Sequence, residues 1–264
     1  MFSIVIPLYN KEGSIKKTLE SVLNQTFQNF EIIVVNDGSK DSSLQVVKSI
    51  NDSRFRIIDK LNGGVSSARN TGIKEAKNEW IVFLDADDLW EENHLETISR
   101  MIVKFNNDHV FCTSFIRSNQ SLPAKQDYNI SIIENYFVEA IKCHFFWTSV
   151  TAINKKVFDN VGVFNESLSR GEDLDLWARI GMKYRFIRSH EITAIYVQDA
   201  DNKLSFTKTS LDKSILSNIS FVGLNKIQSS YYKKLIVRKI KSSIFKGDFR
   251  TSLKLICKYN FKLL

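Results

Sequence analysis

Apolar runs and helical stripes alternate along the chain from Ser3 to Phe115. Ser3-Ile4-Val5-Ile6-Pro7 is a short apolar strand, and Tyr9-Asn10-Lys11-Glu12-Gly13 after it carries turn chemistry. Ile15, Leu19, Val22 and Leu23 recur at helical spacing. Phe30 to Val35 reads as a second buried strand ending in Asn36-Asp37-Gly38-Ser39, and Leu44, Val47 and Ile50 mark a second helix. Phe55 to Ile58 is a third strand, followed by Asn62-Gly63-Gly64 and a helix from near Val65 that carries Arg69 and Asn70. Trp80-Ile81-Val82-Phe83-Leu84 is a fourth strand that runs directly into Asp85-Ala86-Asp87-Asp88. Leu95, Ile98, Met101, Ile102 and Phe105 form the next stripe, and Val110 to Phe115 a fifth strand. Strands alternating with helices at this spacing predict βαβ units and a mostly parallel α/β sheet.

The pattern then loosens. Residues 117–147 mix polar and aromatic side chains without a period and read as an irregular insertion. Thr148 to Ile153 is expected to be a strand, and Arg170-Gly171-Glu172-Asp173 to precede a helix carrying Leu174, Trp177, Ala178 and Ile180. Tyr184 to Ile187 and Ile192 to Val197 are expected as two late strands. Past Ser205 the pattern turns helical, dividing the chain into a body of residues 1–205 and an appendage of residues 206–264.

Charge sharpens that division. The net +8 is uneven: from Phe206 onward there are 13 Lys/Arg against 2 Asp/Glu, and before it 24 against 27. A mildly acidic body with a basic tail does not fit a nucleic-acid binder. The three cysteines, Cys112, Cys143 and Cys257, are odd in number and far apart, which argues for a reducing, cytoplasmic setting. No basic n-region or cleavage pattern precedes the first strand, so no signal peptide is expected, and no apolar run approaches the ~20 residues of a membrane span.

Chemistry concentrates where strands end. In open α/β sheets, ligands bind beyond the carboxyl ends of the strands. Strands two and four end on the same edge, so Asp37 and the Asp85–Asp88 cluster can line one cleft. Packed carboxylates repel unless a cation, usually a hard metal, lies among them. Taken singly each has an ordinary reading: Asp37-Gly38-Ser39 as a turn, Asp87 or Asp88 as a helix cap, Glu172-Asp173 as an acidic pair favoured by a helix dipole.

Together they are more specific. Ile6-Pro7-Leu8-Tyr9-Asn10, Val35-Asn36-Asp37-Gly38-Ser39, Ala68-Arg69-Asn70-Thr71-Gly72, Phe83-Leu84-Asp85-Ala86-Asp87-Asp88 and Gly171-Glu172-Asp173 resemble, in order and spacing, the successive signatures of family 2 glycosyltransferases. The resemblance covers roughly residues 1–205. It implies the GT-A fold, a Rossmann-like, mostly parallel sheet flanked by helices, here with a C-terminal helical appendage. It also implies a nucleotide-diphosphate sugar donor, commonly a UDP-sugar, a divalent metal, manganese or magnesium, and inversion at the anomeric carbon. By that resemblance Pro7, Tyr9 and Asn10 cradle the nucleotide and Asp37 accepts the uracil N3–H. A carboxylate, which only accepts, suits an imide donor. Arg69, Asp85 and Ala86 lie near the donor, with Asp85 facing the ribose or a metal-bound water. Asp87 holds the metal, and Asp173, with Glu172 beside it, takes the proton of the acceptor hydroxyl. Trp147 is a candidate for stacking the acceptor sugar, whereas Trp177, at helical spacing, reads as core.

Two departures stand out. The family usually has Asp-Asp where this chain has Asn36-Asp37. A histidine commonly follows the late strand, where this chain has Tyr196-Val197-Gln198-Asp199, so Asp199 is a candidate substitute ligand; His190 reads as structural. A sugar nucleotidyltransferase would need a glycine-rich phosphate loop after the first strand, a dinucleotide oxidoreductase a Gly-x-Gly-x-x-Gly, and neither is present. A catalytically silent GT-A scaffold in a membrane glycan-assembly complex is the alternative of a different class. The expected function is sugar transfer to a glycan or lipid-linked acceptor in surface-polysaccharide synthesis (capsule, O-antigen or exopolysaccharide). In the tail, Lys233, Lys234, Arg238, Lys239 and Lys241 interleave with Ile236, Val237, Ile240, Ile244 and Phe245. That pattern suggests peripheral docking of residues 233–245 on the anionic inner face of the cytoplasmic membrane.

Overall fold

The computed structural model describes residues 1–143, 145–198 and 210–263. Its element order is β1 (Phe2–Leu8), α1 (Ile15–Leu23), β2 (Phe30–Asp37), α2 (Ser43–Lys48), β3 (Phe55–Lys60), α3 (Val65–Glu75), β4 (Trp80–Phe83), β5 (Leu89–Trp90), α4 (His94–Lys104), β6 (Val110–Arg117), β7 (Ile130–Ile133), α5 (Tyr136–Lys142), β8 (Thr151–Asn154), α6 (Lys155–Val161), α7 (Glu172–Gly181), β9 (Phe186–Tyr196), α8 (Lys226–Phe245) and α9 (Phe249–Leu263). The strands form one sheet in the order β3-β2-β1-β4-β8-β6-β9-β5, with β7 also on β9.

The parallel expectation holds from β3 to β4, where all three pairings are parallel. These strands are nearly continuous apolar runs because helices cover both faces. Every residue of β1 is buried, and so is every residue of β2 except Glu31. Beyond β4 the sheet is mixed: β8 is antiparallel to β4 and β6, and β9 is parallel to β6 but antiparallel to β5 and β7. The parallel half brings the ends of β1, β2 and β4 to one edge.

Three local readings differ from the sequence pattern. Residues 117–147 contain β7 and α5, the latter capped by Asn135, whose side chain accepts from Phe137 N and Val138 N. The aromatics from Tyr136 to Trp147 are core: Phe146 meets the Trp177 and Phe186 rings edge-on at 4.7 and 4.6 Å. The strand expected over Thr148–Ile153 begins as a single 3-10 turn, Thr148–Val150, before β8. The two late strands are one, β9, with irregular register against β6. Polar residues in its middle suggest a break, but the buried Glu191 carboxylate accepts from Asn93 Nδ2 at 2.7 Å and Thr97 Oγ1 at 3.0 Å. Burial of a charge is tolerated when it is paired in this way.

In the C-terminal section, Tyr231 of α8 packs on Tyr136 and Phe137 of α5, and Ile236 and Ile240 pack with Leu255 and Tyr259 of α9 as a small second cluster. Ahead of these helices, Ser214 bridges Arg170 and Ile215 N donates to Arg170 O at 3.1 Å. Gly171 begins α7 at φ +78°, and a Cβ there would stand 2.5 Å from Ile215 Cγ2. The glycine before Glu172 thus admits a C-terminal segment of the chain.

Gly72 sets the seating of α3 on the sheet. A Cβ there would meet Val5 Cγ1 at 2.2 Å, and Val5 is fully buried in β1. Gly72→Ala should destabilise the fold by about 1–3 kcal/mol, the usual cost of overpacking, read as a lower denaturant midpoint. Adding Val5→Ala should recover part of that loss; a Gly72→Ala protein as stable as wild type would contradict this packing.

Candidate active site

At the carboxyl edge of the parallel strands lies a cleft of about 470 Å³. Its lining includes Pro7, Tyr9, Asn10, Asp37, Arg69, Asp85, Ala86, Asp87, Trp147, Glu172 and Asp173. Every site residue expected from the sequence is therefore brought to one cavity except Asp199, which lies outside the described residues. Also in the lining are Lys11, Asp88 and Tyr196.

The floor is stitched from loops after β1 and β2. Asn10 takes the left-handed conformation at φ 50°, which Asn tolerates better than most residues. Its Oδ1 accepts from Lys40 N at 2.8 Å, and its own N donates to Ser39 Oγ at 3.1 Å. Asp37 ends β2 almost fully buried. One oxygen accepts from Lys60 Nζ (2.6 Å) and Gly63 N (2.9 Å), the other from Gly64 N (2.7 Å). A carboxylate offers about four acceptor positions, so one more donor can be taken on the Gly64 side. Asn36 explains itself here: its Nδ2 donates to Asp59 Oδ1 at 2.7 Å, where an aspartate would set two carboxylates against each other.

At the end of β4, the Ala86 carbonyl accepts from Ser14 Oγ (2.9 Å) and Thr18 Oγ1 (3.1 Å) of the α1 region, which pins the turn between the carboxylates. Asp85 pairs with Arg69 (Nη2 to Oδ1, 2.7 Å), and Asp87 with Lys11 (Nζ to Oδ2, 2.7 Å). Asp88 is buried, accepting from Ser149 Oγ (2.8 Å) and Val197 N (3.2 Å). Burial, with the charges of Asp85 and Asp87, pushes its carboxyl well above the usual range. The repulsion within the cluster is thus relieved by two side-chain cations and a favoured proton.

Arg69 spans the cleft. Only 4% of it is exposed, and it lies over the Phe164 ring while its Nη1 donates to Glu172 Oε1 at 3.2 Å. Burial disfavours its charge, but Asp85 and Glu172 outweigh that and hold the guanidinium firmly protonated. Its Nε has no hydrogen-bond partner among the described residues. Glu172 opens α7 but turns to Arg69 and caps no helix. Asp173 Oδ1 accepts from Leu174 N at 2.8 Å. Although Asp173 lies at a helix N-terminus, its carboxyl is shifted above its ordinary value. Burial raises it, against the Leu174 N–H bond and the Arg69 charge. Burial and the neighbouring Asp173 likewise raise Glu172.

Trp147 is only 8% exposed, with its ring edge-on to Tyr196 at 5.0 Å and tilted on Phe115 at 5.0 Å. It lines the cleft as part of an aromatic wall, not as an open platform, and Tyr196 is the partner sequence reasoning missed. His190 lies on β9, within 2.7 Å of Ser131 Oγ, as the structural residue expected.

Among the described residues no group of three or more His, Cys, Asp or Glu is disposed to hold a metal. The donor set nonetheless fits magnesium or manganese bound through one carboxylate and a substrate's phosphates, the usual pattern for a hard ion that keeps much of its water. Asp87, whose carboxylate lines the cleft, is the residue that would supply that oxygen.

The sequence model described as Glycosyl transferase family 2 matches residues 3–162, more than half of the chain. The glycosyltransferase GlyA of Streptococcus pneumoniae is 32% identical over 180 residues, 67% of this chain and 23% of GlyA. The uncharacterised glycosyltransferase EpsJ of Bacillus subtilis is 31% identical over 184 residues, covering 66% of this chain and 54% of EpsJ. WfgD of Escherichia coli, named a UDP-Glc:alpha-D-GlcNAc-diphosphoundecaprenol beta-1,3-glucosyltransferase, is 36% identical over 126 residues, 47% of this chain and 50% of WfgD. The chain thus spans from about a quarter to about half the length of these three relatives. In fold, it is similar to residues 1–349 of Staphylococcus aureus TarS in complex with UDP-GlcNAc, with a TM-score of 0.78 at 19% identity over 100% of this chain and 81% of that one. With the family motifs gathered around one cleft on a GT-A sheet, the chain is a member of glycosyl transferase family 2.

Proposed function

We propose that this glycosyltransferase moves a sugar from a UDP-sugar, with inversion, to a hydroxyl of a glycan or lipid-linked acceptor in surface-polysaccharide synthesis. The observation that carries the reading is the set of groups that line one cleft. It combines an acceptor for an imide (Asp37), two cations (Lys11 and Arg69) and two carboxylates with raised pKa (Glu172 and Asp173). TarS in complex with UDP-GlcNAc supports a UDP donor, and WfgD, whose named acceptor is a diphosphoundecaprenol lipid, supports a lipid-linked one.

Each role follows from local chemistry. Asp37 is rigid because three donors already hold it, so it meets the uracil N3–H without reorganising. Arg69, fixed by Asp85 and Glu172, presents positive charge to the diphosphate. A divalent metal bound at Asp87 would act as a Lewis acid on the departing diphosphate. Inversion by single displacement needs a base opposite the leaving group. Asp173 fills that role: its raised pKa makes it a stronger base than an ordinary carboxylate, while Arg69 moderates the rise.

Peripheral membrane association forms part of the proposal, with a shifted surface. Within residues 233–245, Ile236 and Ile240 are buried against α9 and do not face outward. Phe245, Phe249 and Leu253 are exposed by 92%, 61% and 60%, beside the exposed Lys246, Arg250 and Lys254. Apolar side chains among basic ones suit the boundary of an anionic bilayer. No helix among the described residues is long and apolar enough to cross a membrane.

Asp173→Asn should lower transfer by about 10²–10⁴, the range for loss of a general base, while UDP affinity stays near wild type. Asp87→Asn should instead weaken both transfer and metal-supported UDP binding. The base works deprotonated and its pKa is raised, so wild-type kcat/KM should climb with pH through a midpoint above ~3.9, the ordinary Asp value. Full activity in Asp173→Asn would move the base elsewhere. For the membrane surface, co-sedimentation should show binding that grows with anionic lipid and drops on Phe245→Ser/Phe249→Ser substitution. Equal binding of both proteins, or none by wild type, would discard that surface.

A further inference from the structure

Lys11 stands where no family motif places a function, and its setting is specific. Its backbone is held from two sides: N donates to Ser43 Oγ at 2.6 Å, and O accepts from Ile15 N at 2.9 Å. The loop therefore fixes where the side chain starts. The side chain reaches into the cleft and places Nζ 2.7 Å from Asp87 Oδ2, with both side chains only 13% exposed. An ammonium on a flexible four-carbon stem can change partners without moving its backbone.

Building on the proposed function, in which Asp87 takes the metal, we propose that Lys11 is a resident cation of the site that competes with the metal for Asp87. In the empty enzyme Lys11 balances the Asp87 carboxylate. A dication on Asp87 would lie within a few ångströms of the ammonium, and like charges at that range repel strongly in a partly buried site. The two cations therefore exclude one another unless the ammonium has somewhere else to go. The donor's diphosphate supplies that place, since phosphate oxygens accept charge-assisted hydrogen bonds from lysine. Nucleotide then draws Lys11 off Asp87 and opens the carboxylate to metal. Metal alone meets a site already neutralised. The consequence is coupled binding, in which nucleotide raises metal affinity and metal raises nucleotide affinity by the same factor.

Lys11→Met keeps the length of the side chain and every backbone bond while removing the charge. Its test is binding, read without turnover. Manganese affinity in the absence of nucleotide, from the paramagnetic resonance of the free ion, should rise about fivefold or more. That is the scale for removing a competing ion pair of modest strength. UDP affinity in excess chelator, by calorimetry, should fall by a similar factor, and the mutual enhancement of UDP and manganese should shrink. Lys11→Arg, which keeps a cation, should hold metal-free UDP binding near wild type. Unchanged or weaker manganese binding by Lys11→Met, or metal-free UDP binding indifferent to the change, overturns the proposal for Lys11 and leaves the donor reading standing. Failure of the wild-type protein to bind either UDP or manganese overturns both.

Discussion

The Arg69–Asp85 ion pair is the contact on which the rest of the site depends. It ties the helix after β3 to the end of β4 at 2.7 Å and, through Glu172, reaches α7. Three elements distant in sequence are thereby fixed around one cavity. A guanidinium suits the place because its planar fork serves two carboxylates at once and keeps its charge when buried. Removing it would leave Asp85 and Glu172 as facing carboxylates in a poorly solvated cleft, the situation that costs most in a protein interior.

Around that pair the fold works as a set of clamps. Gly72 lets α3 sit close on β1, which determines how far Arg69 reaches. Ser14 and Thr18 hold the Ala86 carbonyl so that Asp85 and Asp87 flank a rigid turn. Ser149 donates to Asp88 and accepts from Asp85 N, joining the turn before β8 to the same cluster. On the far side, Ile215 fills the space that Gly171 leaves open at the start of α7. The C-terminal section therefore steadies the helix bearing Glu172 and Asp173, whatever else its basic face contacts.

Much of this was legible in the sequence because it is local. Apolar runs marked β1 to β4, and the carboxylates at their ends identified the edge where a ligand belongs. The motifs of the resemblance named ten site residues that, with Trp147, the structure gathers around one cleft. What stayed hidden was long-range. Nothing near Lys11 announces Asp87, 76 positions away, as its partner. Glu191 suggested a break in β9 because its partners Asn93 and Thr97 lie on another element. The aromatics from Tyr136 to Trp147 have no period because they pack between elements, not along one. The upward shift of the Asp173 carboxyl was hidden as well, because a helix N-terminus can be inferred from neighbouring residues, whereas burial depends on the whole fold.

The relation between the carboxylates and the diphosphate is the centre of the account. A crystal structure of the protein with an intact UDP-sugar and manganese tests it most directly. The account predicts the uracil imide against Asp37, the diphosphate between Asp87 and Arg69, and the anomeric carbon facing Asp173 from the side opposite the leaving phosphate. A diphosphate bound away from Asp87, or Asp173 on the same side as the leaving group, would contradict it.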